Sequence, residues 1–222
     1  MATEAPARER LDRRRVLQAA LEVIDREGLD ALSMRRLATE LEVDPMTVHH
    51  HARGKESLLD GVAELLWEEV EHPGASRNAK EVLRALANSV RTIFHRHAEA
   101  APLVLRCSRF SRAELELWRA YLDALGEAGI DAPASVLRPV LTYALGTAYA
   151  EVAMLGVACA PTQTRPLTER ELLLTLGQAL PPNTPAPLAS AAVEIIADCD
   201  PDRCFSDGLE LMLAGLSAST KR

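Results

Sequence analysis

Aromatic side chains are scarce in this chain: two Trp, three Tyr and three Phe serve 222 residues. β-branched residues are sparse too, while Ala, Leu, Glu and Arg abound, so strands have little to build from and helices have much. The expected fold class is therefore all-α. No apolar run reaches the roughly 18 residues that a membrane-spanning helix needs. The opening MATEAPARERLDRRR carries no apolar stretch, so no secretory signal is expected and the protein is placed in the cytoplasm. Four cysteines, Cys107, Cys159, Cys199 and Cys204, lack the paired CxxC spacing of a zinc site and read as reduced thiols. Also missing are a Gly-rich phosphate loop, GxSxG and HExxH. His95 and His97 stand two apart on a helical stretch and face different ways. No enzyme, no catalytic residue and no cofactor is expected.

The charge that is present is unevenly spread. Residues 1–55 hold ten Lys/Arg and ten Asp/Glu; the remainder holds 15 and 22, so the whole net charge of −7 lies after Lys55. A neutral head on an acidic body fits a head that approaches phosphates and a body that does not.

Apolar residues recur at helical spacing from Arg10 to Glu27, and Gly28 stops that run. Ser33 is a good N-cap for a short helix, Met34 to Leu41, with Leu37, Ala38 and Leu41 inward. LEVD follows as a tight turn. Asp44 caps a third helix with Pro45 at its first position, where a missing N–H costs nothing. Arg53-Gly54 breaks it, and a longer helix runs from Lys55 to about Glu71 until His72-Pro73-Gly74. Further helices read as Ala79–His97, Pro102–Cys107, Arg112–Ala128, Ala134–Ala158, Glu169–Leu180 and Phe205–Ser217. The organisation is thus an N-terminal arm and three-helix head over 1–55, a connecting helix over 56–72, and a body over 73–222.

The head ends in DPMTVHHHARGKESLL, Asp44 to Leu59, with three consecutive histidines. On a helix, successive residues point about 100° apart, so His49, His50 and His51 cannot share one metal ion. No metal site is expected. A short helix after a tight turn can instead lie in a major groove with its first residues against base edges.

These residues support a family name. LSMRRLATELEVDPMTVHHHARGKESLLDGVA resembles the DNA-binding domain of the TetR family of transcriptional repressors. The resemblance rests on the capped second helix, the LAxxLxV core, a short third helix ending in His-x-x-x-Lys, and the LL that opens the fourth. It implies a DNA contact set of Ser33, Met34, Arg35, Pro45, Met46, Thr47, His49, His50, His51 and Lys55. Arg13, Arg14 and Arg15 are possible further phosphate contacts from the arm. Two positions depart from the family pattern: Glu42 stands where the turn carries Gly, and His49 and Ala52 stand where aromatics are usual.

LRPVLTYALGTAYAEVAMLG and FSDGLELMLAGL resemble the two helices that build the dimer's four-helix bundle in the tetracycline-repressor type of body. That resemblance implies a homodimer, with Gly146, Phe205, Leu209, Met212, Leu213 and Leu216 at its interface, and Gly208 and Gly215 allowing close approach. It also implies an effector pocket, for which the candidate wall is Leu86, Val90, Phe94, Val104, Trp118, Tyr121, Tyr143, Thr147, Glu151 and Met154. The family's polar tetracycline contacts fall on Leu86, Val90 and Val104, all apolar, so tetracycline is not the expected effector. The reading is a ligand-responsive regulator, most simply a repressor, whose partners are a palindromic double-stranded DNA operator, a small hydrophobic effector and a second copy of itself, with no membrane. Its rival is an all-α small-molecule-binding or scaffold protein that does not bind specific DNA.

Overall fold

The computed structural model describes residues 11–106, 110–159, 181, 184–188, 191 and 200–219. All regular structure among them is helical, as the composition requires. The helices are α1 (Arg13–Glu27), α2 (Met34–Glu40), α3 (Pro45–Ala52), α4 (Lys55–Glu68), α5 (Ala79–Arg96), α6 (Pro102–Arg106), α7 (Arg112–Glu127), α8 (Pro133–Cys159) and α9 (Pro201–Ser219), with a 3-10 turn at Leu29–Ala31. The chain forms two compact units, Met1–Leu145 and Gly146–Arg222, and α8 runs across the boundary. No helix among the described residues is long and apolar enough to cross a membrane. The helix expected at Glu169–Leu180 lies outside the described residues.

Local chemistry sets the helix starts. Asp12, Ser33, Asp44, Asn78 and Ser111 each accept a backbone N–H of the first turn of α1, α2, α3, α5 and α7 respectively. The Asp12 cap starts α1 three residues later than expected. The Asp-Pro start of α3 recurs at Asp200-Pro201, where Asp200 Oδ1 accepts from Asp202 N at 3.0 Å. That cap opens α9 four residues earlier than expected. α4 ends at Glu68 rather than Glu71.

Glu42 occupies the left-handed region, φ 53°, as does Arg53 at the end of α3, φ 57°. Each costs roughly 1 kcal/mol that glycine would not.

In the first unit, α1 packs against α2, α3 and α4, and α4 in turn meets α6 and α7. Val16, Ala20, Val23 and Ile24 of α1 are fully buried beside Leu37, Val48, Leu58 and Val62. Gly61 lets α1 and α4 approach closely: a methyl there would come within 2.5 Å of Leu17 Cδ2. Arg13 does not serve as an arm toward phosphate. Its Nη1 donates to the carbonyls of His51 and Ala52 at 3.0 and 3.2 Å, and its Nη2 to that of Ser57 at 2.9 Å. It satisfies carbonyls that the end of α3 leaves open. Arg14 pairs with Glu68 at 2.8 Å.

In the second unit, Phe205, Leu209 and Leu213 are buried, at 2%, 2% and 0% exposure, so they have no surface left for a partner. Met212 and Leu216 are half-buried and Gly146 is exposed. A large apolar residue that does keep its surface is Leu211, 77% exposed. Methyl groups at Gly146 and Gly215 would meet no atom of the described residues within 4 Å. Within the single chain these three belong to the core, whereas Ala214 and Gly215 are exposed beside Leu211 on α9.

Candidate nucleic-acid interface and effector cavity

The α2–α3 turn is held by its own backbone. Val43 N donates to Ala38 O at 3.0 Å and Leu41 N to Leu37 O at 3.0 Å. Val48 and Ala52, four apart on α3, are buried. Their burial turns the rest of the helix outward: Met46 is 73% exposed, His49 and His50 are exposed, and Thr47 and His51 are half-buried. The His50 and His51 rings meet edge to face, 5.4 Å apart.

Around this helix, Ser33, Arg35 and Pro45 are exposed and Met34 is half-buried. Lys55 opens α4, and its Nζ donates to Leu32 O at 3.2 Å, tying the start of α4 to the segment before α2. The ammonium remains exposed with donors to spare. Arg36, the neighbour of Arg35, belongs to a different set: it pairs with Glu27 and Glu40, and Arg26 joins both carboxylates. Hydrogen bonds from Arg36 and Arg26 hold the Glu27 carboxyl down to about 2. Arg36 is thereby neutralised. From the turn through α3 to the start of α4, residues 41–55, Glu42 and Asp44 are offset by Arg53 and Lys55, a zero balance in a chain that is acidic as a whole.

Farther along, the end of α4 is gripped from three sides. The N–H of Glu71 donates to Ser89 Oγ of α5 at 2.9 Å, and its carbonyl accepts from Tyr121 Oη of α7 at 2.8 Å. Burial pushes the Tyr121 hydroxyl up to about 12, so it stays a donor. Two residues earlier, Glu69 Oε2 accepts from Arg96 at 2.8 Å and faces His97 Nε2 at 3.2 Å. The other nitrogen of His97 lies 2.7 Å from Asp25 Oδ2 of α1. One buried imidazole thus joins α1, the end of α4 and the end of α5. Residue spacing gave no sign of this junction, since Asp25 and His97 are 72 residues apart.

Beside this grip is an apolar cavity in the first unit. It is a narrow crevice lined by Trp67, Leu86, Leu117, Trp118, Tyr121, Leu137 and Leu141 and is nowhere wide enough for a water molecule. Of the expected pocket residues, the structure brings Leu86, Trp118 and Tyr121 together here. Val90 and Phe94 are buried on α5 but do not line it; Val104 and Tyr143 are half-buried elsewhere in the unit. Thr147 and Glu151 are half-buried residues of the second unit, and the Met154 side chain lies outside the described residues. Trp67, Leu117, Leu137 and Leu141 escaped the sequence reading because a leucine facing a cavity has the same helical spacing as one facing a neighbour. A roomier cleft on the head, lined by Asp12, Gln18, Glu22 and Glu40 among others, is open and polar and has no wall to desolvate a ligand.

Comparison with known proteins agrees with this layout. Residues 16–62 match the model of bacterial regulatory proteins of the tetR family, and residues 73–220 match the tetracyclin repressor-like C-terminal domain. The tetracycline repressor protein class D of Escherichia coli is 29% identical over 209 residues, covering 93% of this chain and 89% of that one. The TetR family protein ActR of Streptomyces coelicolor, in complex with actinorhodin, superposes with a TM-score of 0.77 at 26% identity, covering 96% of this chain and all of the other. ActR in complex with (S)-DNPA superposes at 0.76 with 27% identity, covering 95% and 99%.

Proposed function

This chain belongs to the tetR family of bacterial regulatory proteins, and from that premise we propose how its own residues do the work of a ligand-responsive DNA-binding regulator. As a homodimer it sets two copies of α3 in successive major grooves of a near-palindromic operator. It represses in the cytoplasm until a small hydrophobic molecule enters the body. The observation that carries the DNA reading is the division of α3: Val48 and Ala52 anchor it, so Met46, Thr47, His49 and His50 are presented to solvent as a group. Thr47 and Met46 have the reach and chemistry to touch a thymine methyl. Arg35, His49, His51, Lys55 and the Ser33 hydroxyl supply the donors for phosphate oxygens in this reading, with Met34 and Pro45 beside them.

The effector reading is supported by where the cavity lies. Admitting a ligand requires its walls to part, and two of those walls are also fastenings. Trp67 is part of α4, and Tyr121 holds the carbonyl of Glu71 just past the end of α4. Displacing either moves the helix whose first residue, Lys55, is tied to the head. ActR is seen with two different small molecules, which agrees with an apolar cavity shaped by packing. Leu86 and Val90 are buried and apolar, so a ligand that needs polar side chains at those two positions is not the effector.

Binding selection on random duplexes tests the DNA reading. A two-fold motif with half-sites about one helical turn apart is expected, and enrichment of no motif contradicts it. On the selected duplex, Lys55→Ala weakens binding to all sequences alike and lowers the salt slope by about 1, while Thr47→Val changes base preference. Gel-shift titrations at several salt concentrations distinguish the two effects.

A further inference from the structure

The side chain of His97 is only 10% exposed, and both of its ring nitrogens face carboxylates. Nδ1 lies 2.7 Å from Asp25 Oδ2, and Nε2 lies 3.2 Å from Glu69 Oε2. A neutral imidazole has one N–H and one lone pair. In that form one of the two carboxylates meets the lone pair, with no proton between two acceptors. Only the ring protonated on both nitrogens donates to both. The charge balance points the same way. The charged groups that face the ring are Asp25 of α1, Glu69 just past α4 and Arg96 of α5, which holds the same Glu69 oxygen at 2.8 Å. Two negative charges against one positive are left over beside a neutral ring, and an imidazolium brings the group to zero. Glu99, in the turn after α5, lies beside Gly28 at the end of α1 and adds negative charge nearby, while His95, two residues back on α5, is exposed. The backbone of His97 is fixed as well: its carbonyl accepts from the N–H groups of Ala100 and Ala101 at 3.0 and 2.7 Å.

We infer that His97 is a proton-controlled latch between α1 of the head and the end of α4: with both nitrogens protonated it ties Asp25 to Glu69, and on losing a proton it keeps one carboxylate and releases the other. Histidine is the side chain whose charge changes around neutral pH. The 2.7 Å contact to Asp25 has the length of a charge-assisted hydrogen bond, so Nδ1 keeps its proton and Glu69 is the carboxylate released, held then by Arg96. The stabilisation is therefore full on the acid side and is partly lost as pH rises and the ring deprotonates. Glu69 stands two residues before Glu71, whose backbone is gripped by Ser89 and Tyr121. The proton thus sets how firmly the end of α4 is joined to the head. The latch itself does not depend on the effector reading; only its use in regulation rests on α4 as the link between head and body.

The test is a titration of full-length protein labelled with ¹⁵N at its six histidines, read by NMR, in which a ring nitrogen that loses its proton moves far downfield. His97→Phe assigns the His97 signals by removing them. Between about pH 6 and about pH 9, wild-type His97 should pass from two protonated nitrogens to one, with Nε2 losing its proton and Nδ1 keeping it. Asp25→Asn keeps an acceptor and removes a charge, so it should move this transition to lower pH. Calorimetry over the same range supplies a second readout. The gap in melting temperature between wild type and His97→Phe should be about twice as large at the acid end as at the alkaline end, because two polar contacts become one. If His97→Phe folds poorly, the wild-type signals and Asp25→Asn carry the test. A ring with a single proton throughout the range, or with both protons throughout, overturns the latch. So does a transition that Asp25→Asn leaves in place, or a melting gap that does not change with pH.

Discussion

With the Leu211 side of α9 proposed as the dimer face, Leu213→Glu is expected not to fold, whereas Leu211→Glu, two residues away on the same helix, is expected to give a folded monomer. The contrast follows from exposure. Leu213 is 0% exposed and Leu211 is 77% exposed. A carboxylate at 213 is buried without a partner, at a cost of several kcal/mol. Losing the packed leucine adds a further 2–5 kcal/mol. Together these approach or exceed the roughly 5–15 kcal/mol that holds a domain folded. At 211 the carboxylate stays in water in the monomer and meets an apolar partner surface only in the dimer, so the penalty falls on association. Sedimentation with circular dichroism checks both: Leu211→Glu should keep its helix signal at one protomer's mass. A Leu211→Glu variant that remains a dimer would move the interface off this side of α9.

His97→Phe is expected to lower the melting temperature by about 4–8 °C and to blunt the response of operator binding to ligand. The imidazole is buried between Asp25 and Glu69, at 2.7 and 3.2 Å. Phenylalanine fills a similar volume and removes both polar contacts. Hydrogen bonds to charged groups contribute about 1.5–3 kcal/mol each. Here both carboxylates keep part of their access to water, at 28% and 34%, and recover some of that loss. A net cost near 2 kcal/mol corresponds to the stated shift for a chain of this length. The larger effect is on coupling, because His97 joins α1 of the head to the end of α4. Without it, movement of α4 reaches the head less completely. Calorimetry reads the first effect and operator titrations with and without ligand read the second. A variant with unchanged melting and unchanged coupling would reduce His97 to a packing residue.

The head was legible in the sequence because its determinants are local. The Ser33 cap, the Asp44-Pro45 start and the spacing of Leu37, Ala38 and Val48 are decided within a turn or two of chain. The φ of Glu42 is likewise a local matter: a turn built for glycine imposes its backbone on whatever residue occupies it. The C-terminal helix misled because Leu209, Leu211, Met212 and Leu213 make it apolar on more than one side, and spacing alone does not say which side faces inward. Arg13 was read as a further phosphate contact from the arm, and His97 only as a histidine facing away from His95. Their roles depend on carbonyls and carboxylates that lie 28 to 72 residues away. Of the walls of the apolar crevice, Leu86, Trp118 and Tyr121 were named from a resemblance, and their four neighbours follow from packing that only three dimensions display.

The central claim is that one molecule carries a DNA site and an effector site joined through α4. Operator affinity with and without saturating ligand, measured together with ligand affinity with and without saturating operator, tests it most directly. The ligand for this measurement comes from a thermal-shift screen of hydrophobic molecules. The account predicts that ligand weakens operator binding 5–150-fold and that operator weakens the ligand by the same factor, since a coupling free energy is reciprocal. A tightly bound ligand whose affinity is identical in the presence and absence of operator would contradict it.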